Sequence, residues 1–189
     1  SRCLGDYIAK GSKHVLYYTR KLSWFVQVTP FIPAIFDEQG KRRPPSELKT
    51  LNFTSAACMN IAFVALNSHL FYWFVTTRSD GRNLNMRETL DFPLNIENVP
   101  TKMLHTLCQL SIELGNDLQA SSVLRTMHFR KHGTLTIQCL FPGKSIVILD
   151  KIDRALAQVF GFTEEELDFL LHFDRKFRLP QVFLQSSQS

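Results

Sequence analysis

LKTLNFTSAACMNIAFVALNSHLFYWFVTTR, Leu48 to Arg78, changes its apolar period partway along. Leu48 to Phe53 is short, ends in an aromatic residue and reads as a strand. Thr54 or Ser55 then supplies a hydroxyl that caps a helix. Beyond it Cys58, Ile61, Ala62, Ala65 and Leu66 recur at helical spacing and share one face. His69 to Thr77 fits two patterns. Its aromatic and β-branched content suits a strand, whereas Phe71, Phe74 and Val75 also share a helix face, and we read it as a second helix.

Upstream, His14 to Arg20 and Trp24 to Thr29 are rich in Val, Tyr, Phe and Trp, and their spacing predicts a hairpin stopped by Pro30 to Pro33. DEQGKRRPP, Asp37 to Pro45, is polar, carries Gly and Pro, and predicts an exposed loop. Downstream, SDGRNLN, Ser79 to Asn85, is a loop by its Asp-Gly pair, and Met86 to Asp91 is a short helical turn ended by Phe92-Pro93. From about Asn98 helical pattern dominates. A helix starts near Pro100, with Leu104, Leu107, Cys108, Ser111 and Leu118 along it. Leu124 to Arg130 and Thr134 to Phe141 predict a β-hairpin turned at His132-Gly133 and stopped by Pro142-Gly143. Ile148, Leu149, Ile152, Ala155, Leu156 and Val159 mark the next helix, with Gly161 at its C-terminal stop. Thr163 and Glu166 form a capping box for the last helix. There Phe162 staples onto Leu167, and Leu167, Leu170, Leu171 and Phe177 form the apolar face. The tail QSSQS is polar and expected to fray. The expected class is α+β. Residues 1–98 carry a small mixed sheet packed by helices, and residues 99–189 are mainly helical with one hairpin near 124–141.

The 189 residues suit one domain or two small ones, and 44% hydrophobic against 21% charged content argues against a disordered chain. Lys and Arg number 22 against 17 Asp and Glu, a net charge of +5 that is compatible with a nucleic-acid partner. Cys3, Cys58, Cys108 and Cys139 are scattered without a Cys-x-x-Cys pair, which argues against a zinc ribbon and for reduced thiols in a cytoplasm. Leu70 to Val75 is too short to span a bilayer, so no membrane is expected, and the N-terminus has no apolar signal core. The first residue is not Met, so the chain reads as part of a longer one.

No phosphate-binding glycine loop, HExxH or GxSxG occurs. The six His are isolated from one another, and His14 and His69, flanking apolar segments, read as structural. Asp37 followed by Glu47-Leu48-Lys49 has the carboxylate and Glu-x-Lys spacing of a metal-dependent nuclease, a short pattern common by chance. The basic residues are more informative. Arg20 and Lys21 follow Tyr17 and Tyr18, Lys41, Arg42 and Arg43 sit in a polar loop, and Arg78, Arg82, Asn83, Asn85 and Arg87 surround the Asp-Gly turn. Arg and Lys neutralise phosphates, and Arg and Asn pair bidentately with guanine and adenine edges. Tyr18, Arg20, Lys41, Arg42, Arg43, Arg78, Arg82, Asn83, Asn85 and Arg87 are therefore the candidate DNA contacts. For Lys41 to Arg43 a solvated loop is an equal alternative, and Asn83 and Asn85 are also ordinary turn residues.

LNSHLFYWFVTTRSDGRNLNMRETLDFPL, Leu66 to Leu94, resembles a Leu-Asn-Ser, aromatic-run, Ser-Asp, Asn-Leu-Asn and Phe-Pro series. That series occurs in adenine-specific DNA methyltransferases of bacterial restriction–modification systems, the methylase subunits of type II restriction enzymes with a fused C-terminal target recognition domain. KIDRALAQVFGFTEEELDFLLHFDRKFRL, Lys151 to Leu179, is similar to the ending of the same proteins, and the two stretches cover nearly a third of the chain. YYTR, Tyr17 to Arg20, resembles a strand upstream of that series. The resemblance implies a region that reads a short duplex DNA sequence. It also implies a parent enzyme that uses S-adenosylmethionine and flips its target adenine. The Asn-Pro-Pro-Tyr or Asp-Pro-Pro-Tyr motif of that chemistry is absent, since the only Pro-Pro is Pro44-Pro45. The implied methyltransferase domain therefore lies upstream in the same polypeptide, and this chain reads DNA with no catalytic residue, metal or cofactor of its own. The alternatives are a metal-dependent nuclease using Asp37, Glu47 and Lys49, and a helical scaffold that forms a homodimer through the region after Asn98.

Overall fold

Alternation in HVLYYT buries Leu16 and Tyr18, and this makes β1 (His14–Thr19) the centre of an antiparallel sheet. The computed structural model describes residues 2–22 and 25–178, without the side chains at 176 and 177. The expectations for Trp24, for the Phe177 side chain and for the tail at 185–189 fall outside those residues. On one side of β1 lies β2 (Val28–Thr29), with Tyr17 opposite Thr29. This strand is shorter than its sequence suggests. The buried Asn67 amide takes both backbone groups of Val28, accepting from its N–H at 3.3 Å and donating to its carbonyl at 3.0 Å. Pro30 then removes the next donor.

A two-residue strand, β3 (Ile35–Phe36), follows and leaves this sheet. The expected third strand forms as β4 (Leu48–Phe53) and pairs with β1 along its whole length, from His14 opposite Phe53 to Thr19 opposite Leu48. In α1 (Ala56–Asn67), Ser55 Oγ accepts from the Cys58 N–H at 3.1 Å, as the cap reading requires. From Ile61 to Asn67 every residue is buried, because α1 packs on the sheet on one side and on later helices on the other. The ambiguous segment is a helix, α2 (His69–Arg78), set at 66° to α1. Ser68 between them is extended, and its Oγ accepts from the Phe71 N–H at 3.0 Å.

α3 (Met86–Leu90) and the long α4 (Thr101–Ala120) come next, α4 burying Leu107, Leu110, Leu114 and Leu118 against α1. The hairpin forms as β5 (Val123–Phe129) and β6 (Gly133–Cys139), with Gly133 at φ 70°. It takes β3 as its third strand, in the order β3-β6-β5, with Ile35 opposite Ile137. The strands therefore fall into two antiparallel sheets rather than one small mixed sheet, and β3 lies just before the polar loop, in a segment to which the sequence reading assigns no element. Two hydrogen bonds between Ala34 and Gln138 hold it there. α5 (Ile146–Phe160) stops at Gly161 in the left-handed region, at φ 70°. α6 (Glu164–His172) carries both halves of its capping box, and Phe162 packs with Leu167 as a staple. α7 (Arg175–Arg178) is the last described element.

One cluster of buried side chains runs from Leu4 to Leu170, so the change of pattern near Asn98 does not divide the core. Among the described residues no single helix is long and apolar enough to cross a membrane.

The two stretches that carry the family resemblance meet inside this core. Asp153 of α5 accepts from the N–H of His69 at 3.1 Å and of Leu70 at 3.1 Å, and from His69 Nδ1 at 2.6 Å. A carboxylate thus caps the N-terminus of α2 from a different helix, where the helix dipole favours negative charge. Arg178 lies over the Tyr72 ring at 4.1 Å and the Phe25 ring at 4.3 Å. Burial pulls its guanidinium down to about 10, and it stays charged at neutral pH.

Candidate nucleic-acid interface

The residues just after β1 pair with the loop that follows α2. Lys21 stands antiparallel to Asn83, the Leu22 N–H donates to the Arg82 carbonyl at 3.1 Å, and the Leu84 N–H donates to the Arg20 carbonyl at 2.7 Å. Leu22 and Leu84 are buried, which anchors this ribbon and leaves Arg20, Lys21, Arg82 and Asn83 exposed. Two sequence-distant candidates, Arg20 and the Arg82–Asn83 turn, are therefore on one edge.

The turn is built by its own side chains. Asp80 Oδ1 accepts from the N–H groups of Arg82 at 3.0 Å and Asn83 at 3.3 Å. These backbone donors hold the Asp80 carboxyl below the usual carboxylate range. Asn85 has a structural task. Its N–H donates to Glu88 Oε2 at 3.0 Å, its side-chain amide to Oε1 at 3.2 Å, and together they start α3. Arg20 reaches Asn85 Oδ1 at 3.4 Å, so Asn85 also steadies the basic edge. Arg78 lies 4.7 Å over the Phe74 ring, and Arg87 pairs with Asp91 at 3.4 Å while both stay well exposed. Phe74, Arg78, Arg87, Glu88 and Asp91 line an open cleft of about 320 Å³. Its two guanidiniums suit a phosphate, and Asp91 holds that of Arg87.

Tyr18 is not on this surface. It is 1% exposed, and burial pushes its phenol up, so its ring serves the core rather than a base. Lys41, Arg42 and Arg43 are exposed but belong to the other sheet. Asp37 folds that loop back by accepting from the Lys41 N–H at 2.8 Å, and the Arg43 N–H donates to the Ile35 carbonyl at 2.8 Å. The ten candidates thus divide into a ribbon-and-cleft group, a loop beside the hairpin, and one core tyrosine.

Asp37 lies in the β3 loop, whereas Glu47 precedes β4 and Lys49 is within it, on the first sheet. Among the described residues no group of three His, Cys, Asp or Glu side chains is placed to hold a metal. Lys21 belongs with the ribbon group, and its signal in the sequence is its position directly after the strand. Comparison of the chain with protein-family models, curated proteins and solved structures finds no match.

Proposed function

We propose that this chain is a duplex DNA recognition module of a restriction–modification adenine-specific DNA methyltransferase. The methyltransferase domain and its S-adenosylmethionine belong to another part of the same polypeptide, and the setting is a bacterial cytoplasm. The observation that carries this reading is the ribbon in which Arg20-Lys21 and Arg82-Asn83 are hydrogen-bonded side by side. It concentrates three cations and an amide on one exposed edge, with Arg78 and Arg87 beside it. Buried leucines hold the ribbon from below, so its donors meet a ligand preorganised.

Arg82 and Asn83 lie at the tip and are the base-reading candidates. Arg20, Lys21, Arg78 and Arg87 hold phosphates, and Asn85 positions Arg20. The two roles leave different signatures. Loss of a phosphate contact weakens binding to every sequence and lowers the salt slope by about one unit. Loss of a bidentate base contact costs about 1–3 kcal/mol on the cognate site alone.

The test is salt-dependent binding by Arg82→Ala and Arg87→Ala in the full-length protein, on cognate and scrambled duplexes. Arg82→Ala is expected to lose discrimination and Arg87→Ala to lose general affinity. Both variants binding both duplexes like the parent would make this edge structural and overturn the assignment.

A further inference from the structure

The ribbon accounts for only part of the basic surface. Residues 35–45 and 122–144 make up the β3-β6-β5 sheet with its loops. They carry Lys41, Arg42, Arg43, Arg125, Arg130, Lys131 and Lys144 against Asp37 and Glu38, an excess equal to the net +5 of the whole chain. Every residue from Val123 to His132 is exposed. Among the described residues no third strand pairs with the hairpin beyond Thr136, so its outer part is a two-stranded ribbon with Arg130, Lys131 and His132 at the tip.

The faces of that ribbon differ. Arg125, Met127, Leu135 and Ile137 share one. On the other, Thr126 stands opposite Thr136 and His128 opposite Thr134; further in, Leu124 stands opposite Gln138, whose amide is bonded to Ala34 and Ser122. Thr126 and Thr136 hydroxyls are 3.1 Å apart, and His128 Nδ1 is 3.3 Å from Thr134 Oγ1. Glu38 braces the tip by accepting from the Thr134 N–H at 2.9 Å. A seven-residue antiparallel ribbon is about 20 Å long, and its two strands lie about 5 Å apart. The DNA major groove, about 12 Å wide, admits such a ribbon. Hydroxyl and imidazole groups are suited to base edges, and the cationic tip and neighbouring loop to phosphates.

We propose that the β5–β6 hairpin is a second DNA-contacting element, which lays its Thr-His face in the major groove while Arg130, Lys131 and the Lys41–Arg43 loop hold the flanking backbone. A second copy of the chain fits this surface poorly, because it would bring the same cationic excess to the contact. An anionic bilayer would take the opposite face through Val123, Met127 and Phe129, whereas the exposed Thr-His face together with the cationic tip favours DNA. The proposal takes duplex DNA as the partner from the reading above, but it uses none of the residues of the ribbon-and-cleft group.

The test measures binding of the full chain to a fluorescein-labelled random-sequence DNA duplex by anisotropy across a salt series. The parent is compared with Arg130→Ala/Lys131→Ala, with Lys131→Glu, and with a control pair, Lys102→Ala/Arg154→Ala, that removes equal charge from α4 and α5. The hairpin pair is expected to lower the slope of log K against log salt by about two units, and Lys131→Glu to weaken binding about tenfold. The control pair is expected to keep the parental slope. A hairpin pair with the parental slope and affinity overturns the proposal, and so does a parent chain that leaves the duplex free. Flotation with phosphatidylcholine–phosphatidylserine vesicles that depends on Arg130 and Lys131, without duplex binding, overturns it in favour of a membrane. Arg82→Ala/Arg87→Ala in the same assay separates the two readings: if that pair is silent and the hairpin pair is not, the hairpin stands and the ribbon-and-cleft assignment falls.

Discussion

Asp153→Ala removes one carboxylate that serves three donors. His69 is 1% exposed and Asp153 is 2% exposed, so water does not replace the lost acceptor. The N–H groups of His69 and Leu70 and the imidazole Nδ1–H would all be stranded. A buried donor without an acceptor costs about 1–3 kcal/mol, and three donors lose theirs at once. The three donors share one site, so their costs do not add in full and the total is about 4 kcal/mol. Asp153→Asn keeps one carbonyl oxygen for a backbone N–H and is expected to lose about 2 kcal/mol. The assay is urea denaturation followed by far-UV circular dichroism. With m at about 2 kcal/mol/M, the Asp153→Ala midpoint falls by about 2 M while m is unchanged. Asp150 on the same helix is the control. Its ion pair with Arg175 at 3.2 Å is partly solvated, so Asp150→Ala is expected to cost no more than about 1 kcal/mol. Equal midpoints for the two alanine variants would refute the assignment of Asp153 as the cap of α2. Because α2 carries Arg78 and leads into the basic edge, Asp153→Ala should also weaken the DNA binding proposed above, through the position of that helix.

Thr163→Ala removes the hydroxyl that accepts from the Glu166 N–H at 3.2 Å and should lower stability by about 1 kcal/mol; an unchanged urea midpoint would contradict the cap. Asn67→Ala strands both backbone groups of Val28 and should cost about 2–4 kcal/mol, read as a lower melting temperature. The Asp80 carboxyl is depressed in the fold, so its contribution is fully present above the unfolded value of 3.8 and is lost as pH falls through the lower folded value. Amide chemical shifts of Arg82 and Asn83 should move together in that acid window, and their titrating with an ordinary carboxylate midpoint would show the turn is not held by Asp80. Gly133→Ala forces a φ of 70° on a side chain and brings its Cβ within 3.1 Å of Glu38 Oε1, so it should destabilise the hairpin, measurable as faster amide exchange in β5 and β6.

Local chemistry was legible in the sequence wherever neighbours in the chain complete it. The Ser55 and Thr163 caps, the Gly161 stop, the Asp-Gly turn and the β5–β6 hairpin need only residues a few positions apart, and all form as their spacing predicts. The α+β class followed from the two periods on either side of Thr54. Helix and strand could not be separated for His69–Thr77 by pattern alone, because the segment is apolar on all sides. Asp153, more than eighty residues away, supplies the acceptor that starts α2.

The candidate site divides along the same line. Residue types and charge around Ser79–Asn85 marked an exposed basic turn, since an Asp-Gly turn must be solvated. Only the tertiary structure laid Arg20 and Lys21 beside it, through backbone hydrogen bonds between segments some sixty residues apart. Only the structure, too, took Tyr18 into the core and set Lys41–Arg43 beside the hairpin. A side chain's type is written in the chain, whereas its neighbours depend on which buried faces pack together. Short-range spacing therefore determined the caps, turns and helix faces of this protein, and long-range burial decided which of its basic residues share a surface.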